Sequence, residues 1–188
     1  VTLVNPFETF AFNFGLALDQ PDTLRLEEWL TGVPGTVCPP HIAVPRGHWV
    51  LAGYGRFGTA VRDRLEQAGL TWKAIDLDPI RCGADGILGT GLATEALKSA
   101  GIESACGLVA GTDNDANNLA IVMAARRLKP KLFVVIRQNQ VTNRRLIEAA
   151  RAQMRFVQSE VMTHECLQLL TTPRLNRFLL RAREQSNA

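Results

Sequence analysis

The sequence predicts an α/β fold in which one parallel sheet is covered by helices on both faces. Short apolar segments alternate with longer helical patterns from residue 47 to residue 158, as in strands joined by crossover helices. The first such segment, residues 49–52, runs directly into glycines at positions 53, 55 and 58. Because such crossovers are nearly always right-handed, we expect a Rossmann-like doubly wound sheet with strand order 3-2-1-4-5-6.

Residues 1–46 predict a helical arm followed by a linker. Three phenylalanines recur at the spacing of one helical face: Phe7, Phe10 and Phe14. A second short helix is expected at residues 24–30, whereas residues 31–46 contain four prolines and predict an extended linker. A domain boundary is therefore expected near Arg46.

Residues 47–158 predict the strands and crossover helices of the sheet domain. The strands are expected at residues 49–52, 72–75, 86–88, 107–110, 132–136 and 156–157. The helices are expected at residues 57–68, 94–100, 114–128 and 141–152. Residues 159–188 then predict a helical hairpin, with helices at 161–170 and 175–183. Its apolar stripe needs a surface to cover, either its own domain or a second subunit.

Composition is that of a soluble globular protein, with 46% hydrophobic and 21% charged residues in 188. The net charge of +3, without basic runs interleaved with aromatics, argues against nucleic-acid binding. The four cysteines are far apart and predict small buried residues in a reducing compartment. The chain begins with Val1 rather than methionine, so we expect a fragment whose upstream part could carry membrane spans.

The glycine pattern predicts a phosphate-binding turn. Gly53 permits a tight turn, Gly55 lets a diphosphate approach the backbone, and Gly58 lets the helix pack on the strand. The unpaired amides at the start of the following helix, together with its dipole, favour an anion.

Asp76 ends the second strand at the position where a carboxylate accepts the ribose hydroxyls of an adenosine and repels a 2′-phosphate. This favours NAD or an adenine nucleotide over NADP. Alternatively, Asp76 caps the turn through Asp78. Arg56 and Arg137 lie at the same edge of the predicted sheet and are candidates either for a phosphate, for a neighbouring subunit, or for solvent alone.

The polar run at residues 112–115 predicts the cap of the long helix, with Thr112 facing the nucleotide and Asn118 one turn into the helix. Its spacing also mimics a calcium loop. The glycine and glutamate that such a loop requires are replaced by Asn118 and Ala124, so calcium binding is not expected.

Nothing in the sequence predicts acid or base catalysis beside a bound nucleotide. Tyr54 is the single tyrosine and lies within the glycine loop, which excludes a Tyr-x-x-x-Lys arrangement. The chain also leaves no room for a substrate domain. We therefore expect a site that holds a nucleotide rather than one that transforms it.

Residues 47–159 resemble the RCK or Trk-type (TrkA-N) nucleotide-binding domains that regulate potassium channels and transporters. The resemblance rests on GYGRFG at 53–58, IDLDP at 75–79, LKSAGIESACGLVAGT at 97–112, NNLAIVMAARRL at 117–128 and VVIR at 134–137. It implies cofactor-binding residues at Gly53, Tyr54, Gly55, Arg56, Phe57, Gly58, Asp76, Leu77, Asp78, Gly89, Thr90, Thr112, Asn118 and Arg137. One departure is Gly89-Thr90, where the family commonly has Gly-Asp.

The resemblance implies a soluble cytoplasmic domain that binds NAD(H) or ATP, ADP or AMP, and the missing acid and base residues predict that it is not an enzyme. It further implies a homodimer or larger ring, formed through the terminal hairpin and linked to a membrane pore subunit or an upstream transmembrane domain at the inner face of the membrane. Two alternatives stay open. One is a nucleotide-dependent enzyme such as an oxidoreductase or methyltransferase, and the other is an assembly scaffold that no longer binds a nucleotide.

Overall fold

The computed structural model describes residues 5–32, 35, 37–83 and 85–171, and the predicted sheet is confirmed within them. The strands are β1 (Trp49–Ala52), β2 (Trp72–Asp76), β3 (Ile87–Leu88), β4 (Gly107–Ala110), β5 (Phe133–Gln138) and β6 (Met154–Val157). Their order is β3-β2-β1-β4-β5-β6, and every neighbouring pair is parallel. β1 therefore lies centrally, between β2 and β4.

Helices cover both faces of this sheet. They are α1 (Pro6–Asp19), α2 (Pro21–Thr31), α3 (Arg56–Gln67), α4 (Pro79–Cys82), α5 (Thr94–Ser99), α6 (Asp115–Leu128), α7 (Arg144–Glu148) and α8 (Gln158–Thr171). The side chains of β1 alternate between two cores, as a strand covered on both faces requires. Trp49 and Leu51 join the core that contains α1 and α3, whereas Val50 and Ala52 join the core that contains α5 and α6.

The predicted helix at residues 141–152 is wrong in its extent. A 3₁₀ turn spans Val141–Asn143, and α7 ends at Glu148. The chain has to reverse before β6 begins, and Arg151 takes a positive φ of 45° in doing so. β5 also runs two residues beyond its predicted end, to Gln138. The predicted helix at residues 175–183 lies outside the described residues.

The N-terminal arm packs against the sheet domain through its aromatic face. Asn5 caps α1, its side chain accepting a hydrogen bond of 3.1 Å from the Phe7 amide. Phe10 lies 5.3 Å from Phe57 between ring centroids, and Phe14 meets Trp49 edge-on at 5.3 Å. The division near residue 46 stays a prediction, but the predicted aromatic face of the arm belongs to the same core as the sheet.

Gly107 is required by the packing between two neighbouring strands of the sheet. The fully buried indole of Trp49 on β1 occupies the space beside Gly107 on β4, and a Cβ at Gly107 would overlap the indole ring. Only glycine fits opposite this tryptophan, which explains a residue that otherwise weakens strands.

The cysteines depart in part from the predicted burial. Cys82 is buried and Cys38 and Cys106 are half-buried, but Cys166 on α8 is exposed, so the prediction is wrong for Cys166. All four are free thiols. The reducing compartment stays a prediction.

Candidate functional site

A cleft of about 1210 Å³ opens at the carboxyl ends of the central strands. β1 lies between β2 and β4, so the crossovers on its two sides run in opposite directions and leave a crevice outside this edge. Its volume is above the range of most small-molecule sites and is large enough for a dinucleotide.

The glycine loop forms the floor of the cleft. Gly53 has a φ of +92°, and a Cβ there would lie 2.7 Å from the Thr112 amide nitrogen. A Cβ at Gly58 would overlap the carbonyl oxygen of Gly53. Gly55 is the N-cap of α3 and offers no side chain to its first turn, so the amides there are open to an anion. The φ of Gly53 and the close contact at Gly58 fit the predicted turn and the predicted helix packing, whereas the approach of a diphosphate at Gly55 stays a prediction.

Tyr54 contributes its backbone to the loop. Its ring stacks on Trp72 with 5.4 Å between centroids, and Arg62 lies 5.9 Å from the centroid of each of these rings. Burial raises the pKa of the Tyr54 hydroxyl, and the nearby Arg62 only partly opposes this. The Tyr54 ring is thus held in an aromatic stack beside a guanidinium.

Asp76 fastens the loop from the end of β2. Its Oδ2 accepts a hydrogen bond of 2.6 Å from the Tyr54 amide, and its Oδ1 accepts one of 3.0 Å from the Asp78 amide. Asp78 in turn caps α4 by accepting from the Ile80 amide at 2.9 Å. The turn-capping alternative for Asp76 therefore describes a real contact. Each carboxylate oxygen keeps acceptor capacity for a further donor such as a ribose hydroxyl.

Arg56 and Arg137 both line the cleft and meet over one aromatic ring of α1. Both guanidiniums lie over the Phe7 ring, at 5.1 Å and 5.5 Å from its centroid. Burial lowers the pKa of Arg137 from its ordinary value, Arg56 lowers it further, and Asp113 and Asp115 oppose this. The two arginines thus concentrate positive charge beside the first turn of α1.

Thr112 and Asn118 join the ends of β4 and β5. Asn118 is fully buried, and its Oδ1 accepts from the Thr112 amide at 2.9 Å and from the Thr112 hydroxyl at 2.6 Å. Its Nδ2 donates to the carbonyl oxygen of Arg137 at 2.8 Å. Asn118 therefore lies behind the cleft wall and fixes two residues that line it, while Asn114 is the N-cap of α6.

Asp115 secures the chain just beyond β5. Burial by itself raises the pKa of the Asp115 carboxyl, but four hydrogen bonds to its two oxygens bring that pKa below its ordinary value. Two of the donors are backbone amides, of Asn139 at 2.6 Å and Gln140 at 3.1 Å. The other two are the side chains of Asn139 and Asn143, at 2.9 Å and 2.8 Å. The loop that follows Arg137 is thereby tied to the start of α6.

The structure brings most of the predicted site residues to this cleft. Its walls include Gly53, Tyr54, Gly55, Arg56, Asp76, Leu77, Asp78, Gly89, Thr90, Thr112 and Arg137. Phe57, Gly58 and Asn118 do not line it: Phe57 stacks on Phe156 at 4.7 Å in the core, and the other two lie beneath the walls. Within the part of the chain that the structure describes, no cluster of side chains could hold a metal ion.

Several residues of the cleft were not predicted from the sequence. They include the N-cap and first turn of α1, at Asn5, Pro6, Phe7 and Glu8, together with Asp63, Arg81 and Gln158. Arg81 pairs with Asp78 at 3.3 Å, and its Nη1 lies 3.7 Å from the place a Cβ would occupy at Gly55. The Asn-Pro pair at positions 5 and 6 does signal a helix start, but no local pattern shows where that helix docks.

The model of the TrkA-N domain family matches residues 49–157, which is more than half of the chain. The chain belongs to the TrkA-N domain family. The matched residues of this TrkA-N domain run from β1 to β6, so the family relationship covers the sheet and the cleft floor, while α1 lies outside the match.

Among curated proteins, the TrkA-N domain is similar to potassium transport proteins. Potassium channel protein 1 of Methanocaldococcus jannaschii is 28% identical over 100 residues, which cover 47% of this chain and 29% of that protein. The Trk system potassium uptake protein TrkA of Streptomyces coelicolor is 34% identical over 88 residues, which cover 43% of this chain and 40% of that protein. The chain thus spans well under half the length of these relatives.

Solved structures share the fold of this TrkA-N domain. The structure of GsuK bound to ADP has a TM-score of 0.65 at 20% identity, covering 91% of this chain and 40% of that one. The structure of the GsuK channel bound to NAD has a TM-score of 0.56 at 23% identity, and the match covers 83% of this chain and 27% of that one. The structure of the AMP-bound Kef C-terminal domain of Shewanella denitrificans has a TM-score of 0.56 at 23% identity, and the match covers 74% of this chain and 94% of that one. Across the described residues, no helix is both long and apolar enough to cross a bilayer.

Proposed function

We propose that this chain is the nucleotide-sensing regulatory domain of a potassium channel or potassium transport system. The observation that carries the proposal is the cleft itself, which joins open amides at the start of α3, the Asp76 carboxylate and two arginines in one crevice. The similarity to potassium channel and Trk proteins supports the transport context. The ligand is an adenine nucleotide, either NAD(H) or ATP, ADP or AMP, because proteins of this fold have been solved with ADP, NAD and AMP.

In the proposed complex each part of the cleft binds one part of the nucleotide. The diphosphate lies on the glycine loop, where backbone amides and the dipole of α3 favour negative charge. The ribose hydroxyls donate to Asp76, and the base lies toward Leu77, Gly89 and Thr90. Thr90 carries no charge, so it contacts the base less strongly than the carboxylate common in the family.

The proposal makes the domain a sensor rather than an enzyme. Nucleotide binding favours one geometry of the assembled domain, and that geometry acts on the pore. The domain is then cytoplasmic, at the inner face of the membrane, through an attached or associated pore. Turnover of the bound nucleotide that persists through purification would instead support the enzyme alternative.

Replacing Asp76 with asparagine tests the ribose assignment. We expect the affinity for ADP and NADH, measured by titration calorimetry, to fall about tenfold or more, because a charge-assisted hydrogen bond contributes on the order of 1.5–3 kcal/mol. Removing the negative charge should also narrow the preference for NADH over NADPH. Glu103→Gln, an exposed carboxylate outside the cleft, serves as the control.

Two results would contradict this proposal. The absence of saturable binding of ADP, AMP, NAD and NADH by the unmodified chain would leave the scaffold alternative in its place. Equal affinities for the Asp76→Asn and Glu103→Gln proteins would show that Asp76 does not bind the nucleotide. The proposal that the cleft binds a nucleotide would then stand without the ribose assignment.

We further propose that the domain forms a homodimer or a larger ring through residues 159–188. Leu170 on α8 is 80% exposed and belongs to the predicted hairpin. Leu170→Asp should therefore lower the molar mass in light scattering toward that of a monomer, since a buried unpaired charge is costly. Ile80→Asp, which alters a similarly exposed apolar residue on α4, should leave the mass unchanged. A mass unaffected by Leu170→Asp would refute the predicted interface.

A further inference from the structure

The first turn of α1 lies in the wall of the cleft although it is outside the family match. Phe7 is the residue of this turn that meets the cations of the site. Its side chain is buried, with 6% exposed, and packs against Phe156 at 5.5 Å between ring centroids. The same ring lies under the guanidiniums of Arg56 and Arg137, which belong to α3 and β5.

This arrangement holds two like charges close to one aromatic ring. Both arginines line the cleft, and among the residues that the structure describes neither guanidinium forms an ion pair or hydrogen bond. Several other arginines among the described residues are paired, as Arg155 is with Glu160 at 3.2 Å. An aromatic face attracts a cation without using its N–H groups, so both guanidiniums keep their donors for an anion.

We infer that Phe7 is a positioning residue for phosphate binding, and that α1 completes the nucleotide site. The ring holds the guanidiniums of Arg56 and Arg137 at one end of the cleft, where they bind the phosphate farthest from the ribose. A bound phosphate relieves the repulsion between these cations and thereby favours the docked position of α1. The inference rests on the proposed nucleotide binding and adds a ligand-dependent contact between the cleft and the N-terminal arm.

By linkage, α1 docking and phosphate binding strengthen each other to the same extent. The docking of α1 therefore depends on whether a di- or triphosphate occupies the cleft. A nucleoside without phosphates does not engage the arginines and leaves α1 unaffected. This difference between phosphorylated and unphosphorylated ligands separates a positioning role of Phe7 from a purely structural one.

The test compares ADP with adenosine in titration calorimetry on the full chain. Phe7→Leu keeps an apolar side chain in the core but removes the aromatic face, and we expect it to weaken ADP binding about five- to twentyfold, from the loss of two cation–π contacts. Adenosine affinity should stay unchanged. Phe7→Tyr should restore ADP binding because it restores the ring.

Phe12→Leu is a matched control on the same helix. Phe12 also lies under an arginine, Arg64 at 5.7 Å, but neither residue lines the cleft. Its substitution should leave both affinities as they are. In the unmodified chain, ADP but not adenosine should slow amide hydrogen exchange in the first turns of α1, a measurement that needs no variant.

The outcomes distinguish the two proposals. If the unmodified chain binds ADP and Phe7→Leu binds it equally well, or weakens ADP and adenosine alike, the inference about Phe7 is overturned while nucleotide binding stands. If exchange in α1 is the same with ADP and with adenosine, the coupling to α1 is overturned. Failure of the unmodified chain to bind ADP overturns both proposals.

Discussion

Alanine at Gly53 should lower ADP affinity by about a hundredfold or more, the largest effect on binding that we expect from one methyl group. Gly53 has a φ of +92°, and its Cβ would lie 2.7 Å from the Thr112 amide nitrogen and 2.9 Å from the Gly111 carbonyl carbon. Both are backbone atoms that cannot rotate away, so the glycine loop itself has to shift. A displacement on the order of 1 Å is enough to misplace the amides that bind the diphosphate.

Gly69→Ala provides the matched control for this experiment. Gly69 also has a positive φ, of 68°, but no atom lies within 4 Å of the place its Cβ would occupy. The substitution therefore carries the same kind of conformational strain, of about 1 kcal/mol, without the collision. Calorimetry should show normal ADP affinity for Gly69→Ala. Equal affinities for the two variants would mean that the loop conformation does not determine binding.

Removing the Asp115 carboxylate should have the largest effect on stability. Asp115 is 5% exposed and accepts four hydrogen bonds from the loop after β5. Asp115→Asn replaces one acceptor oxygen with a donor that faces other donors, so we expect a loss of about 2–4 kcal/mol in the free energy of unfolding. Asp113→Asn, at an exposed position two residues earlier, should cost under about 0.5 kcal/mol. Urea denaturation measures both.

The same carboxylate predicts a pH dependence with a definite sign. Its pKa is below the ordinary value in the folded chain because the hydrogen bonds to its oxygens outweigh the effect of burial. The stabilisation is therefore fully present above the unfolded pKa, about 3.9, and is lost as pH falls through the lower folded pKa. The difference in unfolding free energy between the unmodified chain and Asp115→Asn should be constant near neutrality and shrink below about pH 4. A difference that grows on acidification would contradict this assignment.

The elements around the glycine loop could be predicted because their signals are local. An apolar strand, three spaced glycines and an aspartate at the end of the next strand determine a turn, a helix start and a carboxylate at one sheet edge. The strand order follows from the alternation of strands and helices and from the handedness of the crossovers. The end of β5 could not be predicted as well, since its last residues are held by contacts with β6 rather than by their own pattern.

The rest of the cleft depends on contacts between distant parts of the chain. The docking of Phe7 under Arg56 and Arg137 joins residues with no shared sequence pattern, so only the amphipathic face of α1 was visible in advance. Asp115 bonds residues 24 to 28 positions away, and this contact also favours a 3₁₀ turn where a longer helix was predicted. Tertiary contacts of this kind override local propensity, and periodicity alone does not reveal them.

The buried tryptophan of β1 gives the molecule an optical reporter of its own. Trp49 has no exposed surface and meets Phe14 of α1 edge-on, so the packed arm supplies part of the apolar environment of its indole. The other two tryptophans, Trp29 and Trp72, lie at exposed or half-buried positions and emit in a more polar environment. We therefore expect the shortest-wavelength part of the tryptophan emission to come from Trp49. Its intensity and position should change when the arm moves away from the sheet, without any added label.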